Sequence, residues 1–291
     1  MRPPGRPKGE YRSAKHEGTP VSKARIIKSG HAQRVPSRRT ALRAALASVG
    51  TMSLAGCDKL SNTPAFVGVL KSAQHLSHSA QRLVAGRNAM AQEFTQADVA
   101  AHFKANGTLM PADADYRALM QGGFKDWKLE VAGLVEKPQA FSLAELRAMP
   151  SRTQITRHDC VEGWSTIGKW KGVQLSRLLE LARPLPSAKY VVFRCADSMD
   201  GPSLDGHDSK YYESVDLDDA YHAQTVLAYE LNDQPLPVNN GAPLRVRIER
   251  QLGYKHAKYL MKIELVESFA GIRDGNGGYW EDNGYEWYAG I

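Results

Sequence analysis

The chain has 291 residues, 42% hydrophobic and 24% charged, with three cysteines and a formal net charge of +7. That is enough for one large domain with its own core, and it excludes a small disulfide-stapled scaffold. The charge is uneven: residues 1–56 carry 12 Lys and Arg against 2 Glu, and the remainder is mildly acidic, so the basic balance belongs to a leader and nucleic acid drops out as a partner.

Within 1–56, Ser37-Arg38-Arg39-Thr40-Ala41-Leu42-Arg43 resembles a twin-arginine export signal. The run from Ala44 to Leu54 is too short and too weakly apolar to span a bilayer. It ends in Leu54-Ala55-Gly56-Cys57, which resembles a lipoprotein cleavage box with Cys57 as the lipidated residue. By resemblance to other bacterial lipoproteins, Asp58 behind it implies retention at the inner membrane. These signals predict a folded protein exported to the periplasm and tethered there by lipid. Residues 57–78 are mixed polar and read as a tether; 79–291 read as one domain.

From Ser79 to Lys104, apolar residues recur at helical spacing and predict one or two helices. WKLEVAG at 127–133 alternates as a strand does. Ser142 precedes LAELRAM with Glu145 three residues on, a capping box. TQITRHD at 153–159 reads as a strand delivering Cys160 at its end. Gln174 to Ala182 reads as a helix stopped near Pro184. KYVVFRC, TVLAYELN, PLRVRIE and MKIELVE read as further strands. Strands and short helices mix without a βαβ rhythm, so the expected class is α+β with a mixed sheet in a single domain.

The segment RHDCVEGWS at 157–165 concentrates chemistry: one thiol among an arginine, a histidine, two carboxylates and a tryptophan. Gly163 allows a tight backbone, so a bulky group can approach. On residues alone, Cys160 has four readings: a small buried hydrophobe, a disulfide partner of Cys195, a metal ligand or a nucleophile. There is no CxxC pair, no HExxH and no phosphate loop after a strand; GNGG at 275–278 comes too late to open a βαβ unit.

The order CVEGWS, YVVFRCAD (190–197), YYESVDLDDA (211–220) and TVLAYELNDQPLPVNNGAPLRVRIERQLGYKHAKYLMKIEL (225–265) resembles the molybdopterin-binding domain of the sulfite oxidase family. The resemblance covers about 127–270 and is closer to the bacterial branch that includes the periplasmic methionine-sulfoxide reductase catalytic subunit. It implies a sulfite-oxidase-type fold and a molybdenum held by a pterin dithiolene and by Cys160. It implies cofactor contacts from Asn240 and Arg245 of NGAPLR, from His256, Ala257 and Lys258, and from Asn106 in FKANG. Tyr211 matches an active-site tyrosine that can hydrogen-bond an oxo group or a substrate oxygen. Cys195 stands where the methionine-sulfoxide reductases carry a threonine near the metal. Sulfite oxidases follow the ligand cysteine with paired arginines; here Trp164 and Ser165 follow Gly163, and only Arg157 turned inward could replace them.

The resemblance therefore implies two-electron chemistry at molybdopterin-bound molybdenum, most simply oxygen-atom transfer on an S-oxide-like small molecule. A cytochrome, membrane b-type or soluble c-type, would exchange the electrons. The alternatives are a sulfite-type oxidase or dehydrogenase, and a non-catalytic lipoprotein binding module.

Overall fold

The computed structural model describes residues 63–86, 88–199 and 209–291. The leader, its arginine pair and Cys57 lie outside the described residues. Residues Pro64–Ile291 form one compact unit.

Among the described residues ten strands build two sheets. The first has the order β2 (Gln139–Ser142), β1 (Lys128–Gly133), β10 (Leu260–Val266), β5 (Tyr190–Ser198), β6 (Lys210–Asp216). Its β1–β10 pair is parallel and its other pairs are antiparallel. The second runs β3 (Ser151–Asp159), β4 (Ser165–Gln174), β7 (Thr225–Leu231), β8 (Gln234–Pro235), with β9 (Arg245–Ile248) also paired to β7. One apolar core joins the two, taking Leu129 and Val131 from β1, Val191 to Phe193 from β5, Leu227 from β7 and Ile263 from β10. The mixed sheets with few helices are the α+β class that the irregular strand and helix order predicts.

Helices are short except the first. They are α1 (Pro64–Ala85), α2 (Ala114–Gln121), α3 (Leu143–Ala148), α4 (Leu175–Ala182), α5 (Leu217–Ala220) and α6 (Tyr279–Asp282). The predicted capping box starts α3: Glu145 N donates to Ser142 Oγ at 3.2 Å, and Ser142 N donates to Glu145 Oε2 at 2.7 Å. Helix α4 buries Leu175, Leu178, Leu179 and Ala182 and ends at Arg183, which takes a left-handed conformation before Pro184. It contacts β1, β4 and β7, and so links the sheets. Among the described residues no helix is long and apolar enough to cross a membrane.

The helical spacing over 79–104 is only partly realised. Helix α1 begins at Pro64, inside the stretch read as a tether, and ends at Ala85. Beyond Asn88 the chain is extended apart from a 3₁₀ turn at Gln96–Asp98. The cause is tertiary. Strand β3 is a sheet edge, and Phe94 N donates to Ile155 O at 2.8 Å while Ala100 N donates to Ile167 O at 3.0 Å. Covering an open edge satisfies backbone groups that a helix would leave unpaired, which overrides a weak local preference.

Both sheets end at one pole. The end of β3, the end of β5, the start of β6 and the segment leading into β10 meet there, and they carry the groups described next.

Candidate active site

Cys160 sits in the tight loop between β3 and β4. Cys160 N donates to Trp164 O and Gly163 N to Cys160 O, each at 3.0 Å, and Gly163 has φ +83°. That left-handed backbone suits glycine. The turn aims the amides of Glu162 and Val161 at the sulfur, which favours the thiolate, while burial and the Glu162 carboxylate push the thiol up. Cys160 and Cys195 are both free thiols.

Cys160 lines a cavity of about 290 Å³. Four more of the residues singled out from the sequence line it: Asn106, Tyr211, His256 and Lys258. Asn240, Arg245, Ala257 and Cys195 do not. Ala257 and Cys195 are packed in the core, where burial raises the Cys195 thiol far above its ordinary value. Arg245 and Asn240 form the layer behind: Arg245 donates to Asn240 O at 3.0 Å and to His256 O at 3.2 Å. Arg245 and Arg247 both lie over the Trp170 ring, at 5.1 and 4.5 Å, a stacked support for two buried guanidinium groups.

Tyr211 lines the cavity, and its hydroxyl donates to Tyr254 O. Lys258 Nζ donates to the carbonyls of Asn106, Thr108 and Asn239. Burial, with Arg245 nearby, pushes its ammonium down to about 7, and three carbonyl acceptors use all three donors of the protonated form. Arg157 is exposed and held by Asp159 at 2.9 Å, so it turns away from the cavity. Glu162 reaches the cavity and accepts from Trp164 Nε1 at 2.8 Å. Trp164 sits beneath the Lys104 ammonium at 4.5 Å.

Two histidines behind Cys160 have fixed tautomers. Arg247 Nη1 lies 2.9 Å from His158 Nδ1. A guanidinium only donates, so Nδ1 accepts and Nε2 carries the proton. His256 Nε2 faces the carbonyls of Ile248 and Gln251 at 2.8 and 3.0 Å, so its proton is on Nε2 and Nδ1 is the acceptor. Burial, reinforced by Arg247, keeps both rings neutral. Among the described residues, His158 Nε2, His256 Nδ1, Asn106 Oδ1, Asn240 Nδ2, Arg245 Nε and Asp197 Oδ1 are buried with no partner. Such atoms are costly unless a bound group completes them.

Sequence reasoning missed part of the wall. Asp197 and Met199 come from the end of β5, and Trp280 and Tyr285 from the C-terminal segment, where their rings stack at 5.1 Å. The visible signals were a carboxylate closing the apolar run YVVFRCAD and a dense aromatic ending, GYWEDNGYEWYAGI.

Residues 118–270 match the family model described as the oxidoreductase molybdopterin binding domain. A protein of Azospira oryzae named "Putative protein-methionine-sulfoxide reductase subunit YedZ1" is 34% identical over 256 residues, covering 88% of each chain. The protein-methionine-sulfoxide reductase catalytic subunit MsrP of Xanthomonas axonopodis pv. citri is 40% identical over 145 residues, 48% of this chain and 45% of that one. The MsrP of Campylobacter jejuni is 34% identical over 148 residues, 49% of this chain and 50% of that one. The chain thus spans about half the length of these catalytic subunits. Among solved structures, the sulfane dehydrogenase SoxCD of Paracoccus pantotrophus matches with a TM-score of 0.42 and 21% identity, over 50% of this chain and 39% of that one.

Proposed function

The chain belongs to the oxidoreductase molybdopterin-binding domain family, and from that premise we propose that it reduces S-oxides of the methionine-sulfoxide kind with electrons from a cytochrome. As a molybdopterin-dependent oxidoreductase it needs a thiolate for the metal and hydrogen-bonding groups for the pterin, and the residues fit both. Cys160 supplies a soft sulfur donor at the cavity. Asn106 and His256 at the cavity wall, with Asn240, Arg245 and His158 in the layer behind, present buried donors and acceptors with no partner among the described residues, matching a ligand with many polar edges. Arg245, in the layer behind the cavity, adds positive charge for the pterin phosphate. When bound, the molybdenum centre supplies two-electron oxygen-atom exchange; the protein binds, orients and excludes water around it.

One observation carries the choice of substrate. The cavity beside Cys160 is walled by Val161, Met199, Tyr211, Trp280 and Tyr285, and among the described residues no arginine lines it. A sulfite dianion taken out of water needs matched cations. Lys258 is committed to three carbonyls, and Arg157 points outward. A neutral S-oxide has no such need, and its alkyl arms suit an aromatic and thioether wall. The relatives named as protein-methionine-sulfoxide reductase subunits support the same reading.

The leader supports the place of action: twin-arginine export of a folded, cofactor-loaded protein, a lipid on Cys57, and the periplasmic face of the inner membrane, where a b-type or c-type cytochrome can reach the site.

Natively exported protein should contain molybdenum and reduce methionine sulfoxide with a reduced viologen dye, and it should leave sulfite unoxidised with ferricyanide. Cys160→Ser should lose both the metal–thiolate absorption and turnover. Sulfite oxidation without sulfoxide reduction would reverse the substrate assignment, and unchanged metal–sulfur spectra in Cys160→Ser would remove the ligand.

A further inference from the structure

We propose that Asp197 is the general acid of this reaction, donating a proton to the S-oxide oxygen as it leaves; this rests on the S-oxide reading above.

Reduction of an S-oxide takes two electrons and two protons: R2SO + 2H⁺ + 2e⁻ gives R2S + H2O. The electrons come through the cofactor from the cytochrome. The S–O bond breaks with its pair on oxygen, the two supplied electrons become the second lone pair of the sulfide sulfur, and the oxygen must gain two protons. A proton donor positioned at that oxygen lowers the barrier.

Asp197 has the geometry for this role. It closes β5, is 3% exposed, and lines the same cavity as Cys160. Its Oδ1 has no partner among the described residues. Among the described residues it has no ion pair within salt-bridge distance, unlike Glu213, Asp219 or Glu249. The other groups near the cavity are poorer donors. The Tyr211 hydroxyl is bonded to Tyr254 O, and burial places its proton out of reach. Lys258 donates to three carbonyls. His256 presents an acceptor nitrogen. Glu162 accepts from Trp164 at the exposed turn.

The surroundings favour the protonated carboxyl. Cys195 on its own strand, Tyr211 on β6, Tyr116 on α2 and Tyr259 before β10 all face it as neutral groups. Among the described residues, Lys258 and the Thr108 hydroxyl act to lower the carboxyl. Burial outweighs both and raises the carboxyl to about 6. An acid titrating there is protonated in a useful fraction and still gives up its proton readily. After transfer, the carboxylate regains a proton from solvent at the open mouth, where Val161 and Tyr285 are exposed. The second proton reaches the oxygen by the same route.

The test uses cofactor-loaded wild type, Asp197→Asn and Asp197→Glu. Asp197→Asn is isosteric and should keep its molybdenum and pterin content. Its kcat for methionine sulfoxide should fall about 10²–10³-fold with little change in KM. Wild-type kcat should fall as pH rises through the titration of this acid, the Asn variant should lose that limb, and the Glu variant should recover part of the rate. Independently of turnover, the infrared difference between wild type and Asp197→Asn should show the C=O stretch of a protonated carboxyl that shifts in D2O. Unchanged kcat in Asp197→Asn, or absence of that band, overturns the proposal. So does loss of pterin from the variant, which would make Asp197 a cofactor contact. A wild type that shows the band and reduces no S-oxide overturns the substrate reading, and with it the recipient of the proton named here.

Discussion

At Gly253 the backbone passes so close to His158 that an added Cβ would stand 2.5 Å from both Cε1 and Nε2 of the ring. The ring has nowhere to go. It is fully buried, its Nδ1 accepts from Arg247, and Arg247 is itself locked by Glu249 at 2.6 Å. Gly253 also lines the cavity, so the contact places the His158 ring immediately behind the wall. Gly253→Ala should therefore cost about 1–3 kcal/mol, the usual penalty for overpacking a rigid core. The midpoint of urea unfolding should fall in proportion. The cofactor content should fall too, because relief of the clash moves either His158 Nε2 or the 253–258 segment. A variant as stable as wild type would show that the ring is free to swing, and the tautomer assigned to His158 would then lose its basis.

The C-terminal element reaches the cavity through a buried ion cluster. Lys255 Nζ bonds Glu213 on β6 and Glu281 on α6, and all three side chains are essentially solvent-free. Helix α6 is one turn long and has no stability of its own, so this cluster fixes Trp280 and Tyr285 over the site. Two carboxylates against one ammonium leave a surplus negative charge. Burial first, then Glu281, raises the Glu213 carboxyl well above its ordinary value, so the folded cluster holds a proton that the unfolded chain releases. A folded-state pKa raised in this way makes stability fall as pH rises from the ordinary carboxylate range through the Glu213 value. Lys255→Met removes the cation and leaves the acids facing each other, which should cost about 3–5 kcal/mol near neutrality. As pH falls and Glu213 holds its proton, the lysine is less needed. The difference in melting temperature between wild type and variant should therefore be widest at neutral to alkaline pH and narrow towards pH 4. A pH-independent gap would mean that the lysine contributes packing rather than charge.

Across the whole molecule, what could be read from the sequence was whatever a short window encodes. Apolar strand runs such as KYVVFRC and TVLAYELN appear as β5 and β7, because a strand buried on both faces needs continuous apolar residues wherever it lies. Cys160 stood out among glycine and flanking charges, but those residues left four readings open, and only the family resemblance favoured a metal ligand. The extended segment after Asn88 was not, since its conformation is set by the open edge of β3, far along the chain. Asp197, Trp280 and Tyr285 escaped for the same reason: only the meeting of β5, β6 and the C-terminus brings them to one cavity. The export and anchoring roles proposed for residues 1–57 are separable by the same logic. The unit Pro64–Ile291 contains every group assigned to the site, so export and anchoring should be removable without touching the chemistry. Replacing Arg38 and Arg39 together by Lys should leave the protein in the cytoplasm, still loaded with molybdenum, because the Sec route cannot carry a folded domain. Cys57→Ala should move it from the membrane fraction to the soluble periplasm with its viologen-linked activity retained, while reduction driven by membrane cytochromes falls as the tether no longer concentrates it at the bilayer. Fractionation with activity staining reads both outcomes. Membrane retention of Cys57→Ala would assign the anchoring to protein–protein contact instead of lipid.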